Sequence, residues 1–245
     1  MYTVVLREMS FFLQFTNPDG SFIKDARGQT STVQLAHFQA LYNYDNNVIH
    51  QGLKLHPKLK EKDVYPDNFW VQKVSGATHL FSQSSVEGLK NLEARGLVSG
   101  TIATQKIASF FDEVFDLCNT SLDDQKPSRF PIKRHEFDRI GRFEEVRMHL
   151  LCWKSAPLTA IPQACRLSNI TINHWDVTLQ SMVACILFLF EQGWKFVQTR
   201  RFNQDNLEVS ESVCMHLNTS KFSFMNHFQY YRTCSGRFDS VVAGA

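Results

Sequence analysis

Two acidic side chains lie three residues apart in the stretch at residues 203–208, which follows a short hydrophobic run. Asp205 and Glu208 share one face if this stretch is helical, because residues three apart are neighbours on a helix. Clustered carboxylates of this kind bind the paired metal ions that cleave or join nucleic-acid strands. Two carboxylates supply part of such a cluster. The structural alternative is that Asp205 is a helix N-cap and Glu208 an exposed residue one turn later.

A second polar pair, Asp116 and Asn119, lies at the end of a predicted helix, and Asp112 extends the same polar edge. A carboxylate can accept two N–H bonds from the edge of a guanine base, and an amide adds donor or acceptor contacts. The spacing therefore fits recognition of a guanine nucleotide. The spacing by itself favours the structural alternative, a solvated Asp116 followed by an Asn119 that caps the helix in a left-handed conformation.

Two lysines, Lys58 and Lys73, are candidates for binding phosphate, since an ammonium group serves phosphate as a point charge. The alternative is that both are ordinary solvent-exposed lysines, and their spacing alone does not indicate a phosphate site. The chain contains no GxxxxGK[ST] sequence and no GxGxxG sequence. A P-loop and a dinucleotide-binding loop are thereby excluded.

Composition gives little support for nucleic-acid binding, a zinc site or a membrane span. The 245 residues have a formal charge of +2, which is too small to indicate nucleic-acid binding by itself. Six cysteines without a CxxC pair argue against zinc and favour reduced thiols in the cytosol or nucleus. Cys185 lies in an apolar run and is predicted to be a core residue. That run, residues 182–190, is shorter than a membrane span, so no membrane partner is predicted.

Hydrophobic periodicity predicts a mainly α-helical chain that could position these side chains. Helices are expected at residues 33–44, 67–94, 102–118, 133–150 and 177–192, with a short strand at 194–199. Asp67 and Thr101 are predicted N-caps, and Gly96 is the glycine that ends the second helix. The last helix has little polar face and is expected to be largely buried, with Asn173 and Asp176 capping it.

Short segments in a fixed order resemble the P-element-type transposases, which include the THAP-domain transposases of animals. The segment HPKLKEKDVYP is similar to the family's KLT-x-x-H-x-x-P, and Gln72-Lys73-Val74 to its M-K-V. The sequence GATHLFSQSSVEGL follows the run A-x-x-x-S-x-S-V-A-x-x-L, and the helix end at residues 109–120 follows F-D-x-x-N-S. Residues 203–208, NQDNLE, are similar to NQD-x-L-E. Order and rough spacing agree over about residues 35–235.

The resemblance implies a fold and a set of ligands. A helical GTP-binding insertion domain at residues 1–170, including an N-terminal lead-in, would be followed at 175–240 by the C-terminal piece of an RNase H-like α/β domain. Guanine nucleotide and Mg²⁺ are then the expected cofactors. DNA is the expected partner in a full-length context, the nucleus is the expected location, and unpaired strand edges predict self-association. The implied GTP-binding residues are Lys58, Lys73, Val74, Asp116, Asn119 and Asp205.

The resemblance also assigns Glu208 as the third catalytic carboxylate, with Asp205 and Glu208 as the metal ligands. The family's two earlier catalytic aspartates lie upstream of the insertion and are not in this chain. One carboxylate of three should not cut DNA, so the chain alone is expected not to be an enzyme. After Glu208 the family's N-x-F-G-x-I-R run is replaced by VSESVC. This departure favours a decayed or domesticated copy. A ligand-free helical scaffold for protein contacts and a fragment of a longer active transposase remain as alternatives.

Overall fold

Helices make up most of the part of the chain that the computed structural model describes, which is residues 14–47, 53–67, 70, 74–155 and 168–202. In chain order the helices are α1 (Leu35–Asn47), α2 (Glu61–Val64), α3 (Val74–Leu80), α4 (Gln83–Ala94), α5 (Ile102–Cys118), α6 (Phe137–Ser155) and α7 (Asn169–Glu191). Strand β1 (Ile132–Lys133) pairs antiparallel with β2 (Phe196–Val197). Two 3-10 turns cover Pro127–Arg129 and Thr199–Phe202. The predicted mainly helical class is confirmed for these ranges.

The chain divides into two compact units, Met1–Phe202 and Asn203–Ala245. The second unit lies outside the described residues, and so does the predicted RNase H-like signature at 203–208. The domain boundary predicted near residues 170–175 comes from the resemblance to a family. The division after Phe202 reflects compactness and does not test that boundary, which stays a prediction.

Helices α1 and α4 approach closely at Gly88. A Cβ atom at this position would lie 2.8 Å from Cδ1 of Leu41, so any larger side chain would collide with α1. Gly88 weakens the helix by propensity alone, and the close packing explains its presence there. The helix predicted at 33–44 is confirmed, since α1 runs from Leu35 to Asn47 and buries Phe38 and Leu41.

The single helix predicted at 67–94 is wrong, because α3 and α4 are separate helices. Ser82 is extended (φ −135°) and its side chain accepts a hydrogen bond from the backbone N–H of Ser85, which starts α4. At the other end, Gly96 has a φ of +70° and donates its backbone N–H to Glu93, while Leu97 donates to Leu92. These are the two bonds of a Schellman motif, so the terminating role predicted for Gly96 is confirmed.

Helix α5 supplies the centre of the core, as its pattern predicts. Ile107, Phe111 and Val114 are fully buried, and the bounds of the helix agree with the prediction. The prediction for Thr101 is wrong in one respect: it occupies the N-cap position, but its hydroxyl donates to Oε2 of Glu93 at 2.6 Å instead of capping α5.

Helix α6 packs along α7. The buried residues of α6 recur at a helical spacing, so its charged residues face outward as predicted. The buried residues are Ile140, Phe143, Val146, Leu150 and Trp153. Helix α7 starts at Asn169 rather than 177, and Ser168 caps it by accepting a bond from Thr171 N. Asn173 and Asp176 are not caps, because they accept hydrogen bonds from Lys154 and Arg147 of α6.

The outer face of α7 is exposed and largely apolar, contrary to the expectation of a largely buried helix. Val177 is 62% exposed and Phe188 is 57% exposed. Cys185 is also exposed and is not a core residue. Residues 182–190 belong to a longer helix, and α7, among the helices described, is long and apolar enough to cross a membrane by length and composition. One such helix is weak evidence of a span, because helices of soluble proteins pass the same test.

Candidate functional site

Asp116 lies in the last turn of α5, where a turn from the following segment encloses its carboxylate. The residue is 4% exposed. Oδ2 accepts a hydrogen bond from the Ser128 hydroxyl at 2.6 Å, and Oδ1 accepts one from Nε of Arg129 at 2.5 Å. Nζ of Lys126 lies 2.6 Å from Oδ2. Asp116 is therefore buried and paired, not solvated.

The charges of this cluster stabilise one another. Burial by itself would raise the pKa of Asp116, but hydrogen bonds from Lys126, Ser128 and Arg129 outweigh burial and hold the pKa below its usual value. Burial likewise opposes the charge on Lys126, yet bonds to Asp116 and Asp112 raise the pKa of its ammonium group. Asp112 accepts from Lys126 at 2.9 Å. The carboxylate at the end of α5 is therefore ionised at neutral pH.

Asn119 is the C-cap residue of α5. Its Nδ2 donates to the Phe115 carbonyl at 2.8 Å, and its backbone N–H donates to Asp116 O at 3.3 Å. The backbone angles are φ −128° and ψ 35°, so the expected left-handed conformation is wrong. Asp116 and Asn119 thus share the end of one helix, with the side chain of Asn119 folded back on the last turn.

The other predicted ligands fall in different places. Lys58 is exposed in the turn before α2, and it forms no ion pair with any residue in the described ranges. Val74 begins α3, which packs against α5. Lys73, Asp205 and Glu208 lie outside the described residues. The nucleotide and metal roles assigned to all these positions stay predictions.

A pair of threonines connects α5 to the segment that leads toward residue 203. The backbone N–H of Thr120 donates to the Thr199 hydroxyl at 3.0 Å, and Thr199 N donates to the Thr120 hydroxyl at 2.8 Å. The Thr199 hydroxyl also donates to Leu117 O at 2.7 Å. These bonds fix the Thr199–Phe202 turn to the end of α5.

Three residues of the cluster escape prediction from sequence: Lys126, Ser128 and Arg129. They lie in a stretch that the sequence predicts to be a linker, and their spacing alone does not predict that the chain turns back onto α5. The one available signal is the pair of basic residues at 126 and 129, ten or more positions after the acidic edge of α5. Arg129 also lies over the Phe115 ring, 5.0 Å from its centroid.

A metal site is not formed by the residues described. No group of three or more His, Cys, Asp or Glu side chains that could hold a metal ion occurs among them. The predicted Mg²⁺ ligands are Asp205 and Glu208, so the prediction of Mg²⁺ is not tested by these ranges.

Comparison with known protein families finds one family model that matches part of the chain. Residues 20–128 match the family described as TNP-like, GTP-binding insertion domain. The matched range contains Lys58, Lys73, Val74, Asp116 and Asn119. No curated protein matches the chain significantly by sequence.

The chain is also similar in fold to a solved structure, the Drosophila P element transposase strand transfer complex. The TM-score is 0.56 at 17% sequence identity, over 84% of this chain and 42% of that one. At this identity the likeness concerns the fold, and the chain spans less than half the length of its structural neighbour. Together the two findings support the predicted resemblance to P-element-type transposases.

Proposed function

We propose that this chain is a P-element transposase-like unit that binds a guanine nucleotide at the C-terminal end of α5. The observation that supports the proposal most strongly is the family match over residues 20–128, which spans both the lysines and the Asp116–Asn119 pair. Asp116 supplies the guanine contact, Asn119 assists it, and Lys58 and Lys73 bind phosphate. Val74 and Asp205 complete the nucleotide site, with Asp205 and Glu208 as Mg²⁺ ligands.

The carboxylate of Asp116 is suited to guanine because guanine presents two donors, N1–H and the 2-amino group, on one edge. Both oxygens of Asp116 are already hydrogen-bonded to the Pro127–Arg129 turn. A guanine base therefore replaces Ser128 and Arg129 at the carboxylate, and nucleotide binding is coupled to displacement of that turn. The exchange replaces the ion pair with Arg129 by a neutral N–H donor, so nucleotide binding must offset the cost of displacing that ion pair.

In its biological setting we propose a nuclear protein derived from a transposase, related to the THAP-domain members. The segment from about residue 175 onward corresponds to the last part of an RNase H-like domain, with Glu208 as its third carboxylate. The proposal covers a domesticated relic and also part of a longer transposase that acts on DNA.

A base-specificity exchange tests the nucleotide proposal. In Asp116→Asn the amide nitrogen faces the 2-amino group of guanine, so two donors oppose each other, whereas xanthine offers a 2-carbonyl acceptor instead. The wild-type protein with Mg²⁺ is expected to bind a fluorescent GTP analogue saturably. Asp116→Asn is expected to lose GTP affinity by about 100-fold, a cost of roughly 3 kcal/mol for a buried unmatched pair, and to gain affinity for XTP.

Asp112→Asn is the matched control. It makes the same chemical change one turn earlier on α5 and also removes a partner of Lys126. It is expected to keep the preference for GTP. Absence of saturable binding by the wild type, or the same preference in all three proteins, would remove guanine nucleotide from the proposal.

The second candidate is a helical scaffold that acts through protein contacts without a ligand. The exposed apolar face of α7 favours it, with Val177 and Phe188 more than half exposed. Thermal unfolding with and without GTP separates the two candidates, because a ligand that binds the folded state alone raises the melting temperature.

A further inference from the structure

A cavity of about 530 Å³ lies between the segment at residues 15–18, helix α5 and helix α6. Pockets that hold small organic ligands have volumes of roughly 300 to 1,000 Å³, so this cavity has the size of a ligand site. The described residues that line it include neither Asp116 nor its partners in the cluster at the end of α5. We call this cavity the aromatic pocket, because three rings form part of its wall.

The three rings of the aromatic pocket contact one another. The centroids of Phe15 and Phe110 are 5.4 Å apart, and the His149 ring lies 5.0 Å from Phe15 and 4.9 Å from Phe110. Phe15 is 2% exposed and Phe110 is 8% exposed, so both rings are held by the core. Rings fixed in this way offer a rigid surface to a flat apolar group, and ring–ring contacts stabilise beyond the area that they bury. The pocket therefore fits an aromatic ligand.

A buried hydroxyl that lines this pocket lacks a hydrogen-bond partner among the described residues. Thr16 is fully buried, and its Oγ1 is the atom in question. Its backbone carbonyl is engaged, because it accepts from Nε2 of His149 at 2.7 Å. Burial lowers the pKa of His149, so the imidazole is neutral at pH 7. A buried hydroxyl without a partner costs free energy, which a polar group of a ligand would recover.

The charged residues of the pocket leave one cation for a ligand. Glu113 and Glu145 both form ion pairs with Arg142. Lys106 donates to Oδ1 of Asn17 at 2.7 Å and forms no ion pair within the described ranges. An ammonium group bonds more strongly to a carboxylate than to a neutral amide oxygen. Lys106 is therefore suited to a single carboxylate group.

We propose that the aromatic pocket binds an aromatic carboxylate, with its ring against Phe15 and Phe110, its carboxylate at Lys106 and a polar ring substituent at the Thr16 hydroxyl. A ring without polar groups would leave both the lysine and the hydroxyl unmatched. A nucleoside triphosphate would bring several negative charges to a pocket whose described residues offer one lysine without an ion pair and two glutamates. The pocket is thus distinct from the nucleotide site proposed at Asp116, and the inference does not depend on that site.

Fluorescence titration of the full chain with 6-hydroxy-2-naphthoate, without nucleotide, tests the aromatic pocket. Two related probes each lack one group: 2-naphthoate has no hydroxyl, and 6-hydroxy-2-naphthamide has no charge. The wild type is expected to bind the first probe saturably and 2-naphthoate about fivefold more weakly, since one neutral hydrogen bond is lost. It should bind the naphthamide about tenfold more weakly, since a charge-assisted bond is lost. Absence of saturable binding, or equal affinity for all three probes, would overturn the proposal without the need for any variant.

Two substitutions assign each preference to its residue. Lys106→Gln should bind the carboxylate and the amide with equal affinity, and Thr16→Val should bind 6-hydroxy-2-naphthoate and 2-naphthoate equally. The matched control Lys24→Gln removes one exposed positive charge outside the pocket and should keep the wild-type order of affinities. Thermal melts confirm that each variant is folded. An unchanged preference in Lys106→Gln, or the same loss of preference in Lys24→Gln, would contradict the assignment.

Competition separates this pocket from the nucleotide site. GTP with Mg²⁺ should not displace 6-hydroxy-2-naphthoate, and Asp116→Asn should bind the probe like the wild type. Competitive displacement by GTP would place the probe in the nucleotide site and would refute the inference. Binding of the probe by a protein that does not bind GTP would support the aromatic pocket and refute the nucleotide proposal alone.

Discussion

At the end of α5, Asp112, Asp116, Lys126 and Arg129 are paired with one another, whereas on the two-stranded ribbon of β1 and β2 the exposed cations Lys133, Arg134 and Lys195 form no ion pair within the described residues. Asp116 is held by Ser128, Arg129 and Lys126 inside the structure. Arg134 lies opposite Lys195 with like charge facing like. The first region uses charge to hold a turn against a helix. The second leaves charge available to a ligand.

The comparison teaches that a ligand meets different obstacles in the two regions. A guanine base must compete with internal donors for the Asp116 carboxylate, so its affinity depends on the stability of the Pro127–Arg129 turn. An anion that meets Lys133, Arg134 or Lys195 has no ion pair within the described residues to displace. Substitutions in the first region should therefore change stability and nucleotide affinity together, whereas substitutions of the exposed ribbon cations should change stability by little.

The largest effect is expected from Asp116→Leu. This change leaves Arg129 and Lys126 without their shared acceptor and removes a buried charge-assisted network, at a cost of about 3 kcal/mol in the free energy of unfolding. Urea unfolding followed by circular dichroism measures it. The ribbon variant Lys133→Gln/Arg134→Gln/Lys195→Gln should stay within about 0.5 kcal/mol of the wild type, as expected for exposed positions. Similar losses in both proteins would contradict the comparison.

Arg129→Gln should separate stability from nucleotide affinity. Loss of a hydrogen bond to a charged group costs about 2 kcal/mol of unfolding free energy. The same loss weakens the internal competitor of guanine, so GTP affinity should rise, by up to about tenfold if most of that cost falls on the closed turn. Calorimetric titration with GTP and Mg²⁺ measures the gain. Arg139→Gln, which removes an arginine bonded to Ser128 O and Glu136 rather than to Asp116, serves as the control.

Acid should destabilise the α5 cluster and spare the ribbon. Because the pKa of Asp116 is below its ordinary value, its contribution to stability is complete above the unfolded-state pKa, near 3.9, and is lost as pH falls through the folded-state pKa. The loss cannot exceed about 1.4 kcal/mol per pH unit for this one group. Urea unfolding at a series of acidic pH values should show Asp116→Asn and wild type converging, and the ribbon variant running parallel to the wild type.

The smallest effect is expected from Lys195→Glu. It converts the like-charged pair with Arg134 into an opposite-charged cross-strand pair, which should stabilise the protein by about 0.5 kcal/mol. A thermal melt measures the change: lower stability would mean that the like-charged pair does not destabilise the ribbon.

Much of the helical fold could be predicted from sequence. The periodic apolar residues of α5 give its bounds, and the left-handed Gly96 ends α4 as expected. The break at Ser82 was missed because the apolar spacing of the neighbouring residues continues across it, while the cap that interrupts the helix is one hydroxyl. The start of α7 was missed because Asn173 and Asp176 resemble caps in sequence, and their real partners on α6 are tertiary contacts.

The candidate site shows the same limit. Asp116 and Asn119 are neighbours on one helix, so their spacing could be read directly. The burial of Asp116 depends on the Pro127–Arg129 turn, which begins eleven positions later, and short loops have no periodicity that predicts where they fold back. Pairs within one helix could therefore be predicted from the sequence, whereas contacts between a helix and a later turn could not.

The reciprocal hydrogen bonds between Thr120 and Thr199 bring two points of the chain together that are 79 positions apart. Residues 121–198, with α6, the ribbon and α7, thus leave the end of α5 and return to it, like a cassette with adjoining ends. The segment is not a separable module, because Phe143 of α6 and Trp175 of α7 are buried in the same core as Phe111 of α5. The fold therefore needs both the closed ends of this segment and its packing on α5.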